Sequence, residues 1–135
     1  MREIKFRGKR IDNGELVYGD LTQSYPNDYP PEIKVTWFDN NKKYYSTNPV
    51  IPESVGQFTG LKDKNGVEIY EGDILKNRYL IKWNPLHNCF GYFSKNGYIR
   101  EILSEYIDNN GKYSHYHLSY KVIGNIFDNP ELINN

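Results

Sequence analysis

Asn-Gly occurs four times in this chain, at Asn13-Gly14, Asn65-Gly66, Asn96-Gly97 and Asn110-Gly111. No other feature narrows the fold as far, because the pair supplies the positive φ angles that a tight hairpin turn requires. Four such turns in 135 residues predict an antiparallel, mainly β protein. The flanking segments agree. In REIKFRGKRI, Ile4 and Phe6 alternate with Lys5, Arg7 and Lys9, the pattern of a strand with one buried and one wet face. After the first turn, ELVYGDL returns as its partner. IKVTWF and KYYST around DNNK form a second hairpin, and GDILK, YLIKW, CFGYF and YKVIGNIF read as further strands. Aromatic residues make up 16% of the chain, 13 of them Tyr, and rings of that size favour packing on pleated faces over disorder.

The interruptions divide the chain. Residues 22–32, TQSYPNDYPPE, hold three prolines without periodicity and read as a loop suited to recognition. In NPVIPESVGQF, Pro52 and Glu53 open a single helical turn between subdomains. Ile99, Ile102, Leu103 and Tyr106 fall at i, i+3, i+4 and i+7, which predicts one short helix over 98–107. The closing DNPELINN reads as a frayed tail. The expected architecture is two small antiparallel β subdomains, residues 1–50 and 51–135, each a partly open barrel, with a Src-homology-3-like form open for the second.

One segment is echoed within the chain. In FRGKRIDNGELVYGDL, Phe6, Gly8, Asn13, Gly14 and Tyr18 stand in one register with Phe58, Gly60, Asn65, Gly66 and Tyr70 of FTGLKDKNGVEIYEGDI. Glu71 is then one extra residue, after which Gly19, Asp20 and Leu21 match Gly72, Asp73 and Ile74. Ordered matches of this kind point to two copies of a strand-turn-strand unit, each Gly-Asp turning the chain before the next strand.

Chemistry finds little footing. The acids of TGLKDKNGVEIYEGDIL do not bind calcium in EF-hand fashion, since counting from Asp63 puts Val67 fifth and Glu68 sixth, where an acceptor and Gly are needed. The segment also lacks the GK[ST] ending of a phosphate loop. His87 and Cys89 are two apart, as are His115 and His117; on strands each pair would share a face, so together they are candidate zinc ligands, with exposed turn residues as the plain alternative. Cys89 has no nucleophile signature around it, and Glu68, Glu71 and Asp73 read as solvated strand-edge acids rather than an acid-base pair. No enzyme and no cofactor are expected. A single cysteine excludes an internal disulfide, and MREIKFRGKR leads to no signal-peptide or membrane-spanning stretch, so the expected location is cytoplasmic.

With 17 basic and 17 acidic residues the chain has no global field for nucleic acid or a membrane surface. A local patch remains. Lys5, Arg7 and Lys9 form a basic stripe on one strand face, and Trp37, Tyr44 and Tyr45 supply stacking surfaces for a nucleic-acid strand.

IKFRGKRIDNGELVYGDL, VIPESVGQFTGLKDKNGVEIYEGDIL and the closing VIGNIFDNPEL resemble the YopX family of bacteriophages and prophages, in the family's order at the beginning, middle and end of the chain. Residues 76–120, which hold the His and Cys pairs, carry none of the resemblance. The likeness implies a mainly β protein encoded in phage or prophage genomes of Gram-positive hosts, and it transfers no catalytic or ligand residue. The functional expectation is a non-enzymatic accessory protein that binds a protein partner or assembles with itself, exposed strands and tyrosines suiting an interface. Nucleic-acid binding through the basic N-terminal strand is the alternative.

Overall fold

The computed structural model describes residues 3–23, 29–76, 78–101, 106–107, 113–114 and 121–134. They belong to two compact units, Met1–Phe58 and Thr59–Asn135, built from antiparallel strands.

The first unit contains β1 (Phe6–Lys9), β2 (Leu16–Thr22), β3 (Glu32–Asp39), β4 (Lys42–Pro49) and the start of β5 (Gly56–Lys62), in the spatial order β4-β3-β2-β1-β5. Between β1 and β2, Arg10 N–H donates to the Glu15 carbonyl at 2.9 Å and Asn13 Oδ1 accepts from Glu15 N–H at 2.9 Å. Only the glycine of this turn takes a positive φ, and the same holds at Gly66 and Gly97. The Asn-Gly pairs therefore leave the left-handed step to Gly alone, with Asn13 supplying its side chain to its own turn. Asn110-Gly111 lies outside the described residues. The two-residue primed turn occurs instead at Asn40 (φ 50°) and Asn41 (φ 65°), joining β3 to β4 through the closing pair Asp39 and Lys42.

Pro52–Ser54 forms the expected single turn, a 3-10 turn whose Ser54 hydroxyl accepts from Lys9 N–H at 2.8 Å. Ile33 and Val50 are fully buried in this unit, and Gly8 lies against Val50 so closely that a Cβ would stand 3.0 Å from its side chain.

In the second unit the later half of β5 neighbours β6 (Glu68–Tyr70). A second sheet contains β7 (Asp73–Leu75), β8 (Leu80–Asn84), β9 (Cys89–Ser94) and β10 (Gly97–Glu101). After the small pair β11 (Tyr106–Ile107) and β12 (Tyr113–Ser114), β13 (Val122–Asn125) completes that sheet in the order β10-β9-β8-β7-β13. Ile69, Leu75, Ile81, Phe90 and Tyr92 form its buried core, with Leu61, Tyr79 and Val122 packed against them.

The helix expected over 98–107 is corrected: Gly97–Glu101 is a strand and Tyr106–Ile107 a short strand, while 102–105 lie outside the described residues. The Asn96-Gly97 turn folds this segment back on β9, pairing Tyr98 with Phe93, and a bulge between Tyr98 and Arg100 breaks the alternation that would have marked a strand. Among the described residues the α-helix is α1 (Glu131–Asn134), in the segment read as a frayed tail. Asn129 anchors the approach to it, its N–H donating to the Asn125 carbonyl at 2.8 Å and its Oδ1 accepting from Asn125 N–H at 3.3 Å.

The echoed segments both run strand, turn, strand, and then diverge at the extra residue. Gly19-Asp20 lies inside the unbroken β2. The expectation that it turns the chain is corrected; here glycine is required by closeness, because a Cβ would overlap the Lys34 carbonyl oxygen of β3. Gly72, after the inserted Glu71, has φ 94° and does turn the chain. Its N–H donates to the Ile81 carbonyl at 2.7 Å and its carbonyl accepts from Ile126 N–H at 2.8 Å, while Asp73 Oδ2 accepts from Tyr70 N–H at 2.7 Å.

Candidate interaction surface

Asp63 and Asp73 serve the scaffold, and Asp73, expected as a solvated strand-edge acid, is instead buried. Asp63 is buried; Oδ1 accepts from Asn65 N–H at 2.8 Å and Val67 N–H at 2.9 Å, and Oδ2 from Val122 N–H at 2.9 Å. Burial pushes its pKa up, but the three backbone donors, from Val122, Val67 and Asn65, and the charge of Lys64 outweigh it and hold the carboxyl below its ordinary value. Glu71 Oε2 accepts from Trp83 N–H at 3.4 Å, a long contact. Of the zinc candidates, His87 is exposed in a turn where its N–H donates to the Asn84 carbonyl at 3.2 Å, and Cys89 is half-buried at the start of β9. His115 and His117 lie outside the described residues. Among the described residues no group of three or more His, Cys, Asp or Glu is placed to hold a metal ion.

The basic stripe is not laid out as an open face. Arg7 is only 8% exposed, Lys5 and Lys9 are half-buried, and Ile4 is exposed ahead of the sheet. β1 is an inner strand, its backbone paired with β2 on one edge and β5 on the other. Lys5 Nζ sits 5.1 Å from the Phe58 ring centroid and 3.6 Å from the Glu3 carboxylate.

The aromatic candidates are placed quite differently. Trp37, Tyr44 and Tyr45 stand together on the β3–β4 hairpin, beyond the point where β2 last pairs with β3 at Asp20 and Lys34. From Thr36 to Tyr45 every residue is exposed, on both faces. One face carries Trp37 and Tyr44, cross-strand partners whose rings stack 6.0 Å apart at 17°, with Asp39 and Lys42 beside them. The other face carries Phe38, 69% exposed, paired with Lys43, and Tyr45, 63% exposed, with Lys34 Nζ 4.7 Å from its ring centroid.

Lys34, Phe38 and Lys43 did not emerge from the sequence reading. The signal was available: Trp37-Phe38 and Tyr44-Tyr45 are consecutive aromatics on strands, and neighbours on a strand point to opposite faces. A hairpin with large rings on both sides must be either doubly buried or doubly exposed, and the sequence does not say which.

The exposed rings form a surface that water solvates poorly. Among the described residues no helix is long and apolar enough to cross a membrane.

Comparison with known proteins bears on the fold and the family. A family model described as "YopX protein" matches residues 5–134. The crystal structure of protein EF1440 from Enterococcus faecalis is similar, at 24% sequence identity and a TM-score of 0.52, covering 98% of this chain and 99% of that one. No curated protein matches the chain.

Proposed function

The chain belongs to the YopX family, and from that membership we propose that it is a phage or prophage accessory protein acting without catalysis, by binding a protein partner through its β3–β4 hairpin. The observation that carries this reading is the exposure of Trp37, Phe38, Tyr44 and Tyr45 on the two faces of one hairpin. Rings of this kind give large contact area at small entropic cost, and aromatic residues dominate the energetic centres of protein interfaces.

Nucleic-acid binding is the second reading, and one observation favours it. The face with Phe38 and Tyr45 also presents Lys34 and Lys43, a pairing of cations and rings that suits a single strand. This moves the basic contribution from Lys5, Arg7 and Lys9 to the hairpin itself.

A photo-crosslinking residue at position 38, introduced in host cells, tests both. Adducts to a protein identified by mass spectrometry support the leading reading, with a doubled mass of this chain marking self-assembly. Adducts to nucleic acid transfer the function to the second reading. Position 64 in the turn of the other unit serves as control, and adducts no more frequent at 38 than at 64 overturn both.

A further inference from the structure

The turn at Asn40-Asn41 determines which backbone groups of the hairpin face outward. In a two-residue primed turn the flanking residues, here Asp39 and Lys42, exchange both hydrogen bonds, and hydrogen-bonded pairs then recur at every second position. Trp37 with Tyr44, Val35 with Ser46 and Ile33 with Asn48 fall in the bonded set. Lys43, Tyr45, Thr47 and Pro49 fall in the other, so their backbone groups point away from β3. Two observations agree with this parity: Pro49, which has no N–H, occupies a position that needs none, and its carbonyl accepts from Ile11 N–H at 3.0 Å on the outer side.

β4 is the terminal strand of its sheet order, and among the described residues no strand pairs with its outer edge. Ile11 caps that edge at Pro49, which among the described residues leaves Lys43, Tyr45 and Thr47 as an uncapped run. An exposed run of this length is a template for strand addition. The side chains on the matching face name the occupant's chemistry. Lys43 and Tyr45 of β4 stand there with Lys34 and Phe38 of β3, and the two acids of that face lie off the edge strand, Asp20 on β2 opposite Lys34 and Glu32 half-buried on β3 opposite Pro49. The edge strand itself carries Lys42 and Lys43 and no acid, so an anionic strand would meet it with opposite charge, which the equally acid-free β4 of a second copy would not.

We infer that the outer edge of β4 takes an extended acidic peptide segment of the protein partner, adding it as a strand on Lys43, Tyr45 and Thr47, with its acidic side chains toward Lys43. This rests on the reading of the hairpin as a protein-contact element. It is narrower than that reading, because binding by ring burial alone would leave the strand edge idle.

The test uses the full chain labelled with 15N and three probes: a ten-residue peptide alternating Glu and Val, its Lys and Val counterpart, and an oligothymidylate of ten nucleotides. The glutamate peptide is expected to shift the amide signals of Lys43, Tyr45 and Thr47, and the lysine peptide to leave them in place. Thr47→Pro removes an outward N–H without removing a bond to β3, and it is expected to weaken the glutamate peptide by at least about tenfold. Lys43→Glu gives a second route to the same loss if the proline variant does not fold. Unmoved edge amides, equal binding of the lysine peptide, or stronger shifts of the same amides by the oligonucleotide each overturn the inference. Protein adducts at position 38 together with unmoved edge amides would leave the hairpin reading standing and remove only strand addition.

Discussion

The carboxylate of Asp63 reaches the backbone N–H of Val122, 59 residues further along, at 2.9 Å. One buried side chain thus closes its own turn, through Asn65 and Val67, and fastens the last strand of the second unit. Replacing it with Ala would leave three backbone donors without their acceptor in a buried setting. The expected loss is about 3 kcal/mol, from the cost of stranding buried donors and of losing bonds to a charged acceptor. Urea unfolding of Asp63→Ala, with Asp63→Asn retaining part of the stability, checks it.

The same carboxylate makes stability depend on pH in one direction. Its folded pKa lies below the ordinary value of about 3.9, so folding favours the ionised form. The contribution is fully present above the unfolded pKa and is lost as the pH falls through the folded one. Unfolding midpoints in urea from pH 6 to pH 2.5 should fall more steeply below about pH 4 for the wild-type chain than for Asp63→Asn. Parallel curves would remove Asp63 from the account.

Glycines 19 and 72 make separable predictions. Gly72 turns the chain at φ 94°, and Gly72→Ala is expected to cost about 1–2 kcal/mol for placing a Cβ in the left-handed region. Gly19 has no such φ, yet its Cβ would overlap the Lys34 carbonyl oxygen, so Gly19→Ala must push β2 and β3 apart. It should lose more stability than Gly72→Ala, and amide exchange should quicken first at Asp20–Thr22 and Glu32–Lys34.

The hairpin separates binding from folding. Trp37→Ala and Tyr44→Ala remove exposed rings and should lower stability by no more than about 1 kcal/mol, the range of a stacked pair on a sheet surface, while abolishing the crosslinks made from position 38. Phe90→Ala, in the core of the second unit, should cost about 3–5 kcal/mol by thermal or urea unfolding.

Charge reversal tests the second reading. Mixed oligonucleotides at low salt are expected to give no mobility shift with the wild-type chain. A shift that is lost in Lys34→Glu with Lys43→Glu, and kept in Lys5→Ala with Lys9→Ala, would instead place nucleic acid on the hairpin.

Much of the strand content was legible because turn chemistry is local: Asn13, Asn65 and Asn96 each precede a glycine with positive φ, and each marks a real hairpin. The helix read over 98–107 failed for a nonlocal reason. Ile99 stands at a bulge, and pairing with β9, not the apolar spacing of the segment, decides its conformation. The candidate surface was half legible. Trp37, Tyr44 and Tyr45 could be named from residue type, but the burial of Arg7, on an inner strand paired on both edges, is announced by no local pattern around it. The meaning of Asp63 was hidden likewise, since one of its three donors belongs to the last strand.

Strand order carries a consequence for how the chain acquires its shape. In the first unit β1 to β4 pair with sequence neighbours, so each hairpin can close as soon as its second strand is available. In the second unit β7 finds its outer partner only in β13, across a long intervening stretch. During synthesis the residues around Ile74 and Leu75 must wait with one edge uncovered until β13 has been made, and that interval is when this unit is most exposed to faulty pairing.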